Sequence, residues 1–138
     1  MSARPGRTGL ARSGSFLSVF LRYWLPVLAY VTLIFSLSSV ANLAPPVTWT
    51  NADKLAHLTE YTVLGFVLAR AYYGTRVFDS LLACVLLAMI TGFATGMFDE
   101  LYQAHVPGRV SSHLDFLADA AGVVLGQFVF ALYSRKDR

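Results

Sequence analysis

The side chains able to do acid–base or metal chemistry are gathered in three stretches of the chain. Asp53, Lys54, His57, Glu60 and Tyr61 form the first, Asp99, Glu100 and Gln103 the second, and Arg109, Ser112, Asp115 and Asp119 the third. His105 and His113 stand beside the last two, and of eight acidic residues only Asp79 and Asp137 fall elsewhere. His57 and Glu60 are of the types needed for general acid and base work. Together with Asp99 and Glu100 they also supply ligands suited to a divalent metal. Arg109 can grip a carboxylate or another anionic group bidentately. The single cysteine, Cys84, lies in an apolar run, which excludes an internal disulfide framework and a multi-cysteine metal site.

The elements that carry these residues must be membrane-spanning helices. Of 138 residues 56% are apolar and 14% charged, and the mean hydropathy is +0.55. A soluble domain of this size carries roughly a quarter charged residues, so soluble globular and disordered classes are both excluded. At about 20 residues per span, the expected fold is all-α: an integral membrane bundle of four transmembrane helices in residues 23–133, between basic tails at 1–22 and 134–138.

Span one runs from Tyr23 to about Val40 and is uncharged. Its basic flank also resembles a signal peptide with a cleavable Ser39-Val40-Ala41 site, although the apolar run is longer than most signal cores. Pro45-Pro46 disfavours helix. Thr50 and Asp53 have capping-box spacing and open span two, which ends at Gly74. Span three covers Val77 to about Phe98. Ser112 and Asp115 form a second capping box, and span four runs from there to about Tyr133.

Charge distribution sets the orientation. With both termini cytoplasmic, that side holds Arg4, Arg7, Arg12, Arg22, Arg70, Arg76, Arg135, Lys136 and Arg138, against Lys54 and Arg109 outside. This is a strong positive-inside bias. The net charge of +3 is therefore a topology signal and requires no nucleic-acid partner.

Helical spacing groups the polar residues on stripes. Asp53, His57, Glu60 and Tyr61 stand at i, i+4, i+7 and i+8; Thr91, Thr95, Asp99 and Gln103 share a second stripe with Glu100 beside it; Asp115 and Asp119 lie one turn apart above Gly122. A charge well inside a span costs at least ~2.5–3.5 kcal/mol, so the stripes are expected to face one another in an acid-rich pocket at the extracytoplasmic end. Asp99 and Glu100 sit where the helix dipole disfavours carboxylates. They need Arg109, a bound metal or protonation. Six acids against Lys54 and Arg109 favour a cationic ligand over a bare phosphate. Small residues on three stripes, namely Gly92 and Gly96, then Ala118, Gly122 and Gly126, then Tyr61, Gly65 and Ala69, let the helices approach closely.

Structural readings compete with functional ones. Asp53 and Asp115 also fit as capping acids, Lys54 as an interfacial charge, His105 and His113 as solvated loop residues, and His57 with Glu60 as a hydrogen-bonded pair. Cys84 fits as a small buried apolar residue.

Asp53-Lys54-x-x-His57, Asp99-Glu100-x-x-Gln103, Pro107-x-Arg109 and Ser112-x-x-Asp115, in this order on consecutive spans, resemble the VanZ-like family. The resemblance covers roughly residues 20 to 133. It implies a small multi-span protein of the bacterial cytoplasmic (inner) membrane, in a family named for a member associated with teicoplanin (glycopeptide) tolerance. The fourth-helix position often filled by Asn in that family is Asp119 here, which adds a negative charge to the site.

Three functions fit these residues. One is a binding or accessory protein that captures an envelope lipid, a glycopeptide or a partner helix. Another is a membrane enzyme acting on a lipid-linked or cell-wall precursor, with His57 or Glu60 as acid or base, Asp99 and Glu100 holding a metal or orienting a nucleophile, and Arg109 steadying an anionic group. The third is a small proton- or cation-coupled carrier, for which one four-span bundle offers little room. The lipid bilayer is the partner common to all three, and the oligomeric state is left open.

Overall fold

The computed structural model describes residues 15–40, 52–109 and 111–136. The Pro45-Pro46 turn, Thr50 and the tail residues Arg4, Arg7, Arg12 and Arg138 lie outside them. Among the described residues all regular structure is helical, in four long helices. They are α1 (Phe16–Ser38), α2 (Ala52–Gly74), α3 (Leu81–Gln103) and α4 (His113–Lys136).

α1 begins ahead of the expected Tyr23. The run Phe16 to Leu21 is uncharged, and Ser15 caps it by accepting the Ser18 N–H. Residues Phe20–Trp24 form a π-turn in which the Leu25 N–H reaches Phe20 O. It ends two residues before Pro26, which supplies no N–H to the helix ladder. α3 likewise extends to Gln103, so Asp99 and Glu100 occupy its last turn or so.

At 1.5 Å per residue, the 23 residues of α2 span about 34 Å, enough to cross a hydrocarbon layer of about 30 Å. α1, α3 and α4 are both long and apolar enough to cross a membrane. α2 has the length, but it carries Asp53, Lys54, His57, Glu60 and Arg70 and is less apolar. Packing explains the difference: α2 is the central helix, laid along α4 and also touching α3 and α1. Its polar stripe is turned into the bundle, where His57 and Tyr61 are buried with Leu64, Gly65 and Leu68. The outer helices show the inverse pattern, with Leu82, Ile90 and Phe98 of α3 and Leu117 and Phe128 of α4 exposed.

Glycines set how closely α2 and α4 approach. A Cβ on Gly122 would stand 2.5 Å from Leu58 O, and one on Gly65 2.6 Å from Val123 O, while Gly126 abuts Thr62 O. Each helix thus presses backbone on backbone, as small-residue seams do in membranes. Gln127 straps the same seam by donating to Gly65 O at 2.9 Å. Gly92 and Gly96 seat α3 on Val123 and Asp119. These contacts carry Asp119 to within reach of α2 and α3.

Candidate functional site

At the His57 end of the bundle, His57, Asp99, Glu100, Gln103, Asp115 and Asp119 are all buried. Since unpartnered charge is costly inside a span, the partners of each define the site. His57 Nδ1 is hydrogen-bonded to Asp119 Oδ1 at 2.9 Å, which joins α2 to α4. Tyr61, one turn below His57, packs beside Asp119 against Gly96. Gln103 Nε2 donates to Asp99 Oδ2 at 3.0 Å and to Ser38 Oγ at 3.2 Å, which ties α3 to the end of α1. Lys54 Nζ bridges Asp53 and Asp115, at 2.9 Å from each.

Among the described residues six buried side-chain atoms have no hydrogen-bond partner: Gln127 Oε1 on the α2–α4 seam, and Tyr61 OH, Asp99 Oδ1, Glu100 Oε1, Asp119 Oδ2 and Arg109 Nε at the His57 end. An unsatisfied buried polar atom costs about 1–3 kcal/mol, and five of the six lie at the His57 end of the bundle. His57, Glu100 and Asp119 each offer one ligand atom, all within 4.8 Å of one another. One imidazole and two carboxylates at that separation can hold a cation. They can equally pass a proton between acid and base.

Of the expected residues, His57, Glu100 and Asp119 lie together, and several have partners other than those expected. Arg109 does not pair with Asp99 or Glu100; its Nη2 donates at 2.8 Å to Leu37 O at the end of α1, a carbonyl that also accepts the Val40 N–H. Glu100 Oε2 instead accepts from the α3–α4 loop, from Ser111 Oγ at 3.0 Å and Ser112 N at 2.9 Å, while its Oε1 has no partner among the described residues. The second capping box is only half formed. Ser112 Oγ accepts the Leu114 N–H, whereas Asp115 turns away to Lys54. His57 pairs with Asp119 rather than Glu60, and among the described residues Glu60, half-buried, makes no hydrogen bond within 3.5 Å. The group with metal-ligand spacing therefore contains Asp119 in place of Glu60 and Asp99.

His105 and His113 are exposed, and His105 Nδ1 is hydrogen-bonded to Leu101 O. Cys84 is a buried packing residue whose Sγ lies 3.4 Å from Phe78 O. Ser38 and Ser111 were not singled out by sequence. The Ser-Leu-Ser-Ser run at the end of an apolar span was the available signal for the first.

No curated protein and no solved structure matches the chain. The VanZ/LLP1 family model matches residues 13–134, which include all four helices up to Ser134 and every residue of the polar cluster. The chain thus belongs to the VanZ/LLP1 family.

Proposed function

We propose that the chain is a four-span protein of the bacterial cytoplasmic membrane, with both termini cytoplasmic, that binds a cationic group at its extracytoplasmic end. Its role is binding or accessory, in cell-envelope tolerance of the glycopeptide (teicoplanin) type. The observation that carries the binding site is the approach of His57, Glu100 and Asp119 ligand atoms to within 4.8 Å, with Glu100 Oε1 and Asp119 Oδ2 both unpartnered. A divalent metal is the simplest occupant, and an ammonium group on a larger envelope ligand meets the same acceptors. Asp53 and Asp115, bridged by Lys54, belong to the same end.

A second reading rests on the His57–Asp119 hydrogen bond. A carboxylate on Nδ1 orients an imidazole and leaves Nε2 for proton transfer, the arrangement of a general acid or base. On this reading the chain is a membrane enzyme acting on a lipid-linked or cell-wall precursor, with Glu60, Asp99, Glu100 and Arg109 around the substrate.

The test is thermal unfolding of the detergent-purified protein with zinc, manganese or magnesium ions. Binding raises the midpoint saturably, and Asp119→Asn or His57→Gln removes the shift. No shift with any of these ions would overturn the metal reading. Turnover of an envelope lipid that His57→Gln abolishes would favour the enzyme.

A further inference from the structure

The end of the bundle opposite His57 holds a cavity of about 430 Å³, lined among others by Arg22 of α1, Arg70 of α2, and Arg76 and Asp79 of the α2–α3 loop. Pro26 offers no N–H to the carbonyl four residues before it, that of Arg22. Arg70 Nη1 donates to that carbonyl at 2.8 Å. The guanidinium groups of Arg22 and Arg70 lie 5.5 and 5.1 Å from the centre of the Tyr23 ring, close enough for cation–π attraction. The Tyr23 ring in turn occupies the space that a Cβ on Gly74 would need. Two like charges are thus anchored on one ring, a local repulsion that the fold maintains.

Arg76 adds a third guanidinium from a residue at φ 51°, a conformation uncommon outside glycine. Among the described residues none of these three arginines is within 4.0 Å of a carboxylate oxygen. Asp79 offsets only one of the three charges. An anion in the cavity would relieve the repulsion, and the planar guanidinium fork matches phosphate oxygens two at a time.

The shape of the cavity indicates which phosphate. Its walls come from α1, α2, α4 and the α2–α3 loop, and among the described residues no Cα of α1 comes within 8 Å of one of α4. In a bilayer the gap between them would give a lipid headgroup a lateral way into the cavity. Phe78 and Tyr133 line it and are 47% and 51% exposed, as aromatic side chains at headgroup depth commonly are. Its volume falls in the range of small-molecule sites, roughly 300–1,000 Å³, and basic pockets between spans are suited to lipid headgroups. We propose that this cavity binds the phosphate headgroup of an anionic membrane lipid, whose acyl chains lie between α1 and α4. This site is separate from the His57 cluster and does not depend on what that cluster holds.

The test titrates the full-length protein in detergent with phosphatidylglycerol, with phosphatidylcholine of the same chains, and with inorganic phosphate, following the unfolding midpoint. Phosphatidylglycerol is expected to raise the midpoint saturably, and phosphatidylcholine and inorganic phosphate to have little effect. Arg22→Gln and Arg76→Gln should each weaken the phosphatidylglycerol response about tenfold, the loss of one charge-assisted contact. Arg135→Gln, outside the cavity, should leave it unchanged. Equal responses to the two lipids, a full response to phosphate alone, or an unaltered response in both cavity variants would overturn the proposal. If either variant fails to fold, the comparison of the two lipids on the unaltered chain still decides.

Discussion

Glu100, in the last turn of α3, accepts the backbone N–H of Ser112, which precedes α4, at 2.9 Å. It thereby takes the acid's place in a capping box from a different helix. Asp115, released from that task, meets Lys54 on α2. One substitution of roles thus links three helices at the polar end.

This relationship predicts a graded response at Glu100. Glu100→Ala should cost about 1–3 kcal/mol, because Ser111 and Ser112 lose their shared acceptor. Glu100→Gln keeps an oxygen in place and should cost less, while still weakening any cation bound there. Chemical unfolding in detergent compares them; equal destabilisation would mean that the two serine contacts contribute nothing.

The α2–α4 seam predicts a hierarchy among glycines. Gly122→Ala and Gly126→Ala each force a methyl against α2 backbone, whereas at Gly96 the nearest atom is Asp119 Cβ at 3.1 Å. The first two should lose about 1–3 kcal/mol from overpacking, and Gly96→Ala less. Unfolding midpoints that rank Gly96→Ala lowest would contradict the seam.

For Lys54 and Asp115, a double-mutant cycle with Lys54→Met and Asp115→Asn should give a coupling of about 0.2–1 kcal/mol that shrinks in high salt. The Lys54 side chain is 27% exposed and that of Asp115 8%, so a value at or above the top of this range is compatible with the pair. Zero coupling at low salt would show that the pair is incidental.

The proposed orientation makes a labelling prediction. His105→Cys should react with a membrane-impermeant maleimide in intact cells, and Asp79→Cys only after permeabilisation; both positions are exposed. The reverse pattern would invert the bundle.

Much of this was legible in the sequence, for physical reasons that differ by residue. Helical periodicity placed His57 with Tyr61 and Asp115 with Asp119, because spacing along one helix needs no knowledge of its neighbours. It could not choose Asp119 over Glu60 as the partner of His57. That choice depends on how far α4 is rotated and how closely it approaches, which Gly65, Gly122 and Gly126 decide through backbone contact. Arg109 misled because charge suggested a carboxylate, while the carbonyl of Leu37 at the end of α1 competes for it as a second-lone-pair acceptor. Nothing in sequence said that Arg70, 48 residues from Arg22, would donate to the Arg22 carbonyl.

The cation site is tested most directly by X-ray absorption at the zinc edge on the detergent-purified protein loaded with one equivalent of zinc. A first shell containing imidazole nitrogen at about 2.0–2.1 Å, lost in His57→Gln and altered in Asp119→Asn, is the expected result. An oxygen-only shell, or an imidazole signal that survives His57→Gln, would contradict it.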